Sequence, residues 1–300
     1  MTSLQARALN VIIRYTVKRR LAACRTPEDV RRVFDGSLAI APKGVRFTPG
    51  RLGGVSGEWA EAASAAPKVG ALLYLHGGGY VSMSPRTHRA ITGGFALRGI
   101  RVFAPDYRLA PEHKFPAAVD DATAAWRALR DQVRGPIFVA GDSAGGGLSL
   151  ALLLHLRDLR EPLPAAACLF SPWTDLAGTG ASVVSNRDRD PLLVVGGDVI
   201  AVAYAGAADL RHPLVSPLYG DYSGLPPLLF FVGGTEILLD DSRRVAARAK
   251  EAGVAAELRV YPEMPHVWPA MSALIPEGRQ ALDEAAAFLR SAGSAARPAA

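Results

Sequence analysis

Short apolar runs alternate with segments of helical spacing over most of this chain. From residue 71 onward the runs are rich in Leu, Val, Phe and Ala, as expected of strands covered on both faces. Helical segments lie between and after these runs. The order predicts an α/β fold, a mostly parallel central sheet with helices on both faces. The expected strands are ALLYLHG (71–77), RVFAPDY (101–107), PIFVAGD (136–142), AACLFSPW (166–173), LLFFVGG (228–234) and AELRVYP (256–262).

Two stretches do not follow this alternation. Residues 4–34 are expected to form two helices, and residues 176–225 hold loops, prolines and the helix-like run PLLVVGGDVIAVAYAG. An insertion at the carboxyl edge of a parallel sheet lies over the ligand crevice. We therefore predict cap segments at residues 1–38 and 176–225, on a core of residues 39–175 and 226–300. In the first helix, a lid on the core is favoured over contact with a membrane surface, which stays open as the alternative. Five apolar residues are expected near one face: Leu9, Ile12, Ile13, Val17 and Leu21.

The sequence GDSAG at 141–145 marks the point where a predicted strand changes into a predicted helix. Its G-x-S-x-G pattern is typical of a sharp strand-to-helix turn that holds a side chain up at the sheet edge. Small neighbours permit the strained backbone, and the amino end of the helix favours an anion there. Ser143 is therefore the candidate nucleophile.

A serine hydroxyl needs a base, most often a histidine that a carboxylate orients. On such a sheet the chain order is serine, acid, histidine. His266 follows the last predicted strand in the loop EMPHVW, at the edge where Ser143 emerges, and is the candidate base. Glu236 comes directly after the preceding strand and is favoured as the acid. Asp240, which suits the start of the next helix, is the alternative.

The run HGGGY at 76–80 follows a predicted strand and supplies backbone amides that no Cβ shields. Attack on an ester makes a tetrahedral oxyanion, which needs such preorganised donors. The N–H groups of Gly77, Gly78 and Ala144 are the candidates. The run is a poor match for a phosphate cradle, because no G-K-[ST] follows it.

Composition narrows the function classes. A hydrophobic content of 49% and a net charge of +6 indicate a globular chain, and the arginines are scattered, without the aromatic-interleaved basic run of a nucleic-acid groove. Two distant cysteines, Cys24 and Cys168, indicate neither a disulfide framework nor a metal site. The sequence contains neither an 18-residue apolar stretch nor a recognisable secretion signal, so we expect a cytoplasmic protein without stable membrane insertion.

Five motifs together carry a resemblance to a known family: HGGGY (76–80), DYRLAPEHKFPAAVDD (106–121), GDSAGGGL (141–148), SPWTDL (171–176) and DRDPLL (188–193). They resemble the bacterial hormone-sensitive-lipase family. The resemblance implies an α/β-hydrolase fold with a helical cap, carboxylesterase activity on short acyl chains and no cofactor. It also implies the nucleophile, base and oxyanion donors named above, and homodimers built through an edge strand. The family usually reads D-x-L-x-D where this chain has Glu236 to Asp240, so the acid departs from the pattern.

The sequence therefore predicts a serine carboxylesterase that acts on a small-molecule ester of short to medium acyl chain. A lactone or amide hydrolase of the same fold is the first alternative, and a non-catalytic ligand-binding receptor is the second. The natural substrate and the acyl-chain limit are not readable from the sequence.

Overall fold

The structure, a computed structural model, describes residues 2–34, 40–63, 69–196 and 198–295. Within these ranges eight strands form one sheet in the order β1-β2-β4-β3-β5-β6-β7-β8. The strands β3 to β8 run parallel, whereas β1 pairs antiparallel with β2 and β2 antiparallel with β4. The predicted α/β fold with a mostly parallel sheet is thus confirmed. The strands are β1 Val45–Leu52, β2 Val55–Ala62, β3 Ala71–Leu75, β4 Arg101–Pro105, β5 Ile137–Asp142, β6 Ala167–Phe170, β7 Leu228–Gly233 and β8 Ala256–Tyr261.

Helices cover both faces of this sheet. Alternate residues of one strand therefore enter separate apolar clusters: Leu73 and Leu75 of β3 pack on one side, Leu72 and Tyr74 on the other. This is why the inner strands are apolar without alternation. The helices are α1 Leu4–Ile13, α2 Arg19–Ala22, α3 Pro27–Phe34, α4 Arg89–Leu97, α5 Ala117–Gln132, α6 Ser143–Asp158, α7 Ser182–Ser185, α8 Asp198–Ala205, α9 Leu239–Glu251 and α10 Pro276–Ala295.

The segments predicted as caps carry the shortest helices. A π-helical turn, Arg14–Lys18, joins α1 to α2, and among the described residues of the helix-like run at 191–206 the α-helix is α8. Part of the first predicted cap, residues 35–38, lies outside the described residues, and the cap boundaries stay predictions. No helix in the described ranges is long and apolar enough to span a bilayer.

The face predicted for α1 is wrong at one position. Ala6 and Ile13 are buried against the core, but Ile12 is 57% exposed. A helix turns about 100° per residue, so two consecutive apolar residues cannot both lie at the centre of one face. Ile12 therefore belongs to the outer surface of α1.

Candidate active site

The carboxyl ends of the parallel strands β5, β7 and β8 bring the predicted residues to one edge of the sheet. Ser143 directly follows β5, Glu236 lies in the turn after β7, and His266 lies in the loop after β8. The strand between β5 and β7, β6, ends at Phe170, which pairs with Asp142 on one side and Phe231 on the other. Because the strands are parallel and in register, their carboxyl-terminal loops share one crevice.

Ser143 lies at a strained turn. Its φ is 52°, in the left-handed region that residues with a side chain rarely adopt. The turn also requires a close approach at Gly145, where an added Cβ would lie 2.1 Å from the Leu75 carbonyl oxygen. The helix α6 starts at Ser143 itself. The turn leaves the Ser143 side chain partly exposed at the amino end of the helix.

His266 and Glu236 form a buried hydrogen-bonded pair. His266 Nδ1 lies 2.7 Å from Glu236 Oε2, and since a carboxylate only accepts, Nδ1 carries the proton. Burial by itself would lower the pKa of His266, but the charge and hydrogen bond of Glu236 raise it above its ordinary value. Within the described residues the other ring nitrogen, Nε2, has no hydrogen bond, and neither has the Ser143 hydroxyl. Nε2 is therefore available as a proton acceptor, and such catalytic contacts are often loose before substrate binds.

The other candidate acid faces away from this pair. Asp240 Oδ2 accepts the backbone N–H of Ser182, at 2.9 Å, and Asp240 Oδ1 lies near Arg243. Asp240 therefore ties the start of α9 to α7. Its neighbour Asp241 is buried, accepts the N–H groups of Thr174 and Asp175, and has a pKa raised to about 7 by burial.

Ser171 holds the carboxylate of Glu236 from the side opposite His266. Its hydroxyl donates to Glu236 Oε1 at 2.7 Å, and the Gly233 N–H donates to the same oxygen at 2.6 Å. Ser171 is fully buried at the end of β6. Both hydrogen bonds fix the position of the carboxylate. Ser171 belongs to the motif SPWTDL, but no role was predicted for it, because its partner Glu236 is 65 residues away in the chain.

The glycine loop after β3 corrects one predicted donor. The Gly77 N–H donates to Asp142 Oδ1 at 3.1 Å, and a Cβ on Gly77 would lie 2.3 Å from Asp142 Oδ2. That N–H is therefore engaged, which argues against Gly77 as an oxyanion donor. Within the described chain, the N–H groups of Gly78, Gly79 and Ala144 have no hydrogen-bond partner. Gly78 remains a candidate donor, and Gly79 was missed because spacing does not reveal which way an amide points.

A second buried histidine-carboxylate pair lies beneath this loop. His88 Nε2 lies 3.3 Å from Asp142 Oδ2, and His88 Nδ1 lies 3.0 Å from the Thr87 hydroxyl and 3.1 Å from the Ser84 carbonyl oxygen. A carboxylate only accepts, so His88 Nε2 carries a proton. Burial alone would lower the pKa of His88, but the Asp142 carboxylate raises it above its ordinary value. The Tyr74 hydroxyl also donates to Asp142, at 2.5 Å.

His76 braces the same loop as a neutral ring. Burial lowers the pKa of His76 to about 3. Its Nδ1–H donates to the Gly77 carbonyl oxygen at 2.7 Å, and the ring stacks on Tyr107 with centroids 4.3 Å apart. Both backbone groups of Gly77 are thus held: its N–H donates to Asp142, and its carbonyl oxygen accepts from His76.

A cluster of aromatic side chains packs near Ser143. The backbone N–H of Trp173 donates to the Ser143 carbonyl oxygen at 2.8 Å, and this hydrogen bond holds Trp173 next to the turn. Tyr80 lies 6.3 Å from Trp173 and stacks on Tyr204 with ring centroids 3.7 Å apart. Tyr204 lies in α8, so this stack joins the segment inserted between β6 and β7 to the glycine loop.

Metal ligands are not grouped in the part of the chain that the structure describes. No set of three His, Cys, Asp or Glu side chains there has an arrangement that holds a metal ion. Cys168 is buried in β6, where burial raises the pKa of its thiol, and Cys24 lies near the amino-terminal helices.

Comparison with known proteins gives a consistent relationship. Residues 72–270 match a family described as having the alpha/beta hydrolase fold. An acetyl-hydrolase of Streptomyces hygroscopicus is 44% identical over 262 residues, which is 86% of this chain and 85% of the relative. An esterase of Acinetobacter venetianus is 37% identical and covers 88% of this chain and 89% of the relative.

Solved structures agree over almost the full length. An esterase from the bacterial hormone-sensitive lipase family superposes with a TM-score of 0.89 at 43% identity, over 97% of this chain and 99% of that one. The esterase EstE5, in crystals soaked with p-nitrophenyl butyrate, gives a TM-score of 0.91 at 38% identity, over the same shares of the two chains.

Proposed function

This chain is a serine carboxylesterase of the bacterial hormone-sensitive-lipase family of α/β-hydrolases, and we propose that it cleaves short- to medium-chain esters through an acyl-enzyme on Ser143. The observation that carries the proposal is the 2.7 Å hydrogen bond from His266 to Glu236. This hydrogen bond places the proton of the neutral His266 ring on Nδ1, so Nε2 can act as the base. The acid is Glu236 and not Asp240.

In the proposed mechanism His266 Nε2 takes the proton of the Ser143 hydroxyl as its oxygen attacks the ester carbonyl carbon. The tetrahedral oxyanion accepts hydrogen bonds from the N–H groups of Gly78, Gly79 and Ala144. Protonated His266 then gives its proton to the leaving alcohol. Water repeats the same steps on the acyl-enzyme and releases the carboxylic acid.

The proposal is tested by labelling and turnover together. A fluorophosphonate should label Ser143 stoichiometrically, and the labelled protein should no longer hydrolyse p-nitrophenyl acetate. An unlabelled serine would favour a ligand-binding receptor over an esterase. A protein that is labelled but turns over only lactones or amides would support the alternative hydrolase.

The aromatic cluster near Ser143 supports a limit on acyl length. In a series of p-nitrophenyl esters from acetate to palmitate, we expect the specificity constant to fall by about 10-fold or more beyond octanoate, because in this proposal the acyl chain lies against Trp173, which the buried stack of Tyr80 and Tyr204 backs. The measurement is kcat/KM at ester concentrations below micelle formation. A constant that rises steadily to palmitate would contradict the limit.

His88 is proposed as a positioning residue for the glycine loop at 76–80, which supplies the oxyanion donors Gly78 and Gly79. His88→Asn removes the imidazole ring that holds Asp142, whose carboxylate accepts the Gly77 amide N–H. We expect kcat to fall by roughly 10- to 100-fold, with KM little changed. Removing an oxyanion donor outright can lower kcat further, by up to about 1000-fold.

Thionoesters make this test specific, because sulfur is a poor acceptor for the oxyanion donors. A displaced loop should therefore lower the oxygen-ester rate more than the thionoester rate, whereas a smaller folded fraction would lower both equally. His155→Asn, in α6 away from the crevice, is the matched control and should leave both rates unchanged.

The predicted homodimer stays a prediction. The strand β8 lies at one end of the sheet, and its outer side borders a groove lined by residues of β8 and α10. The cytoplasmic location is likewise still a prediction.

A further inference from the structure

The outer face of α1 and of the turn after it is apolar. Leu4, Ala8, Val11 and Ile12 follow the helical spacing i, i+4, i+7 and i+8, and Tyr15 continues the row. All five are exposed, Leu4 by 80% and Tyr15 by 61%. We call these residues the outer stripe. An amphipathic helix on a protein surface normally turns its polar side outward, whereas α1 carries apolar residues on its outer side as well as on its buried side.

Exposed apolar surface is concentrated in this part of the molecule. Among the described residues, the large apolar side chains that are exposed fall mostly in the two predicted cap segments. Those in the inserted segment include Val184, which is 75% exposed and precedes the loop at 187–190. Isolated exposed apolar residues need no explanation, but a row of five on one helix face does.

The stripe is bordered by positive charge. The first 25 residues contain six Lys and Arg residues and no Asp or Glu. Arg14, Lys18 and Arg20 donate to backbone carbonyl oxygens, so those bonds do not neutralise their charges. Arg19 lies over the ring of Tyr15, 5.7 Å from its centroid, at the edge of the stripe.

The helix is fastened to the loops that carry the site. The Asn10 side chain donates to the Glu263 carbonyl oxygen at 2.7 Å, in the loop of His266. Lys18 Nζ donates to the Asp190 carbonyl oxygen at 2.6 Å. The Asp190 carboxylate in turn accepts the N–H of Ile237, the residue after Glu236, at 2.9 Å. Whatever the outer stripe binds therefore lies beside the entrance to the crevice.

We propose that the outer stripe docks this protein on an anionic lipid bilayer, with the five apolar side chains in the interface and the flanking basic residues among the headgroups. An apolar face flanked by Lys and Arg, with an aromatic residue at the boundary, is the pattern of helices that lie in the plane of a membrane surface. A second copy of the chain is a poorer occupant, because pairing two stripes would bring two acid-free basic segments together. Docking orients the crevice toward esters dissolved in the lipid.

The test is co-sedimentation with sucrose-loaded vesicles. We expect binding to phosphatidylcholine vesicles that contain phosphatidylglycerol, weaker binding to phosphatidylcholine alone, and a strong decrease at about 1 M salt, where the Debye length is about 3 Å. Val11→Ser/Ile12→Ser should weaken the apparent affinity by at least about 10-fold, because both side chains leave the apolar layer.

The matched control is Leu97→Ser/Leu159→Ser. It removes two apolar side chains of similar exposure, 47% each, outside the stripe, and should bind like the unaltered chain. Turnover of soluble p-nitrophenyl acetate should be the same in both double variants. Vesicle binding is measured without catalysis, so failure of the proposed ester hydrolysis would not affect the result.

Two outcomes would overturn the proposal. One is equal binding to anionic vesicles by the Val11→Ser/Ile12→Ser variant and the unaltered chain. The other is no vesicle binding, together with a dimer in solution that the same variant converts to a monomer, which would assign the stripe to contact between copies.

Discussion

Replacing Ser143 with alanine is expected to reduce kcat for p-nitrophenyl acetate by at least about 10⁴-fold, because no other group at the site can form the acyl-enzyme. The side chain is partly exposed, and its hydroxyl makes no hydrogen bond within the described residues. Alanine also meets the same backbone strain at a φ of 52° as serine does. The free energy of unfolding should therefore change by less than about 0.5 kcal/mol.

The measurement is steady-state turnover together with a thermal unfolding curve of the same preparation. Ser223→Ala, an exposed serine outside the crevice, is the control and should keep full activity. Retained turnover in Ser143→Ala would contradict the acyl-enzyme mechanism. Lost turnover with a large drop in the unfolding midpoint would show that the variant tests folding and not chemistry.

Replacing Glu236 with glutamine is expected to lower kcat by about 10³- to 10⁴-fold, because an amide cannot hold His266 with its proton on Nδ1 or stabilise the imidazolium. Ser171 and Gly233 can still donate to the amide oxygen, which would direct its NH₂ group toward His266 Nδ1. The ring would then favour the tautomer with the proton on Nε2, which cannot accept from Ser143.

The pH profile gives this variant a second readout. His266 must be neutral to act as a base, so kcat/KM falls as the pH drops through its pKa. Glu236 raises that pKa, so the acidic limb of the unaltered enzyme should lie above about 6.5, the ordinary value for histidine. Without the carboxylate the desolvation of the ring dominates, and the limb should move to lower pH.

The comparison with Asp240→Asn decides between the two candidate acids. Asp240 caps the backbone of Ser182 and does not contact His266, so this substitution should change kcat by less than about 3-fold and leave the acidic limb in place. A large loss in Asp240→Asn with normal activity in Glu236→Gln would reverse the assignment.

The choice of acid illustrates what sequence reasoning cannot reach. Glu236 and Asp240 are four residues apart in the sequence, Glu236 just before α9 and Asp240 in its first turn. Sequence position puts both near the sheet edge, but the direction of each side chain depends on its neighbours. Hydrogen bonds from Ser171 and Gly233 hold the Glu236 carboxylate beside His266. The backbone N–H of Ser182 instead holds the Asp240 carboxylate at α7.

In the glycine loop at 76–80, the sequence likewise predicts which backbone groups are present but not where they point. Three consecutive glycines predict amides free of Cβ atoms, but not their directions. Asp142 takes the N–H of Gly77 because Tyr74 and His88 fix that carboxylate beneath the loop. His88 is 54 residues from Asp142 in the chain and precedes Ser143, so the order serine, acid, histidine does not predict its role.

The sequence by itself determined the strands of the parallel sheet, the turn at Ser143 and the edge at which His266 appears. Strands buried on both faces must be apolar throughout, and the carboxyl ends of parallel strands meet at one edge. Only the tertiary structure decided which carboxylate faces His266, which glycine amides stay unpaired and that Ile12 points outward. These depend on contacts between residues distant in the chain, and local spacing carries no information about such contacts.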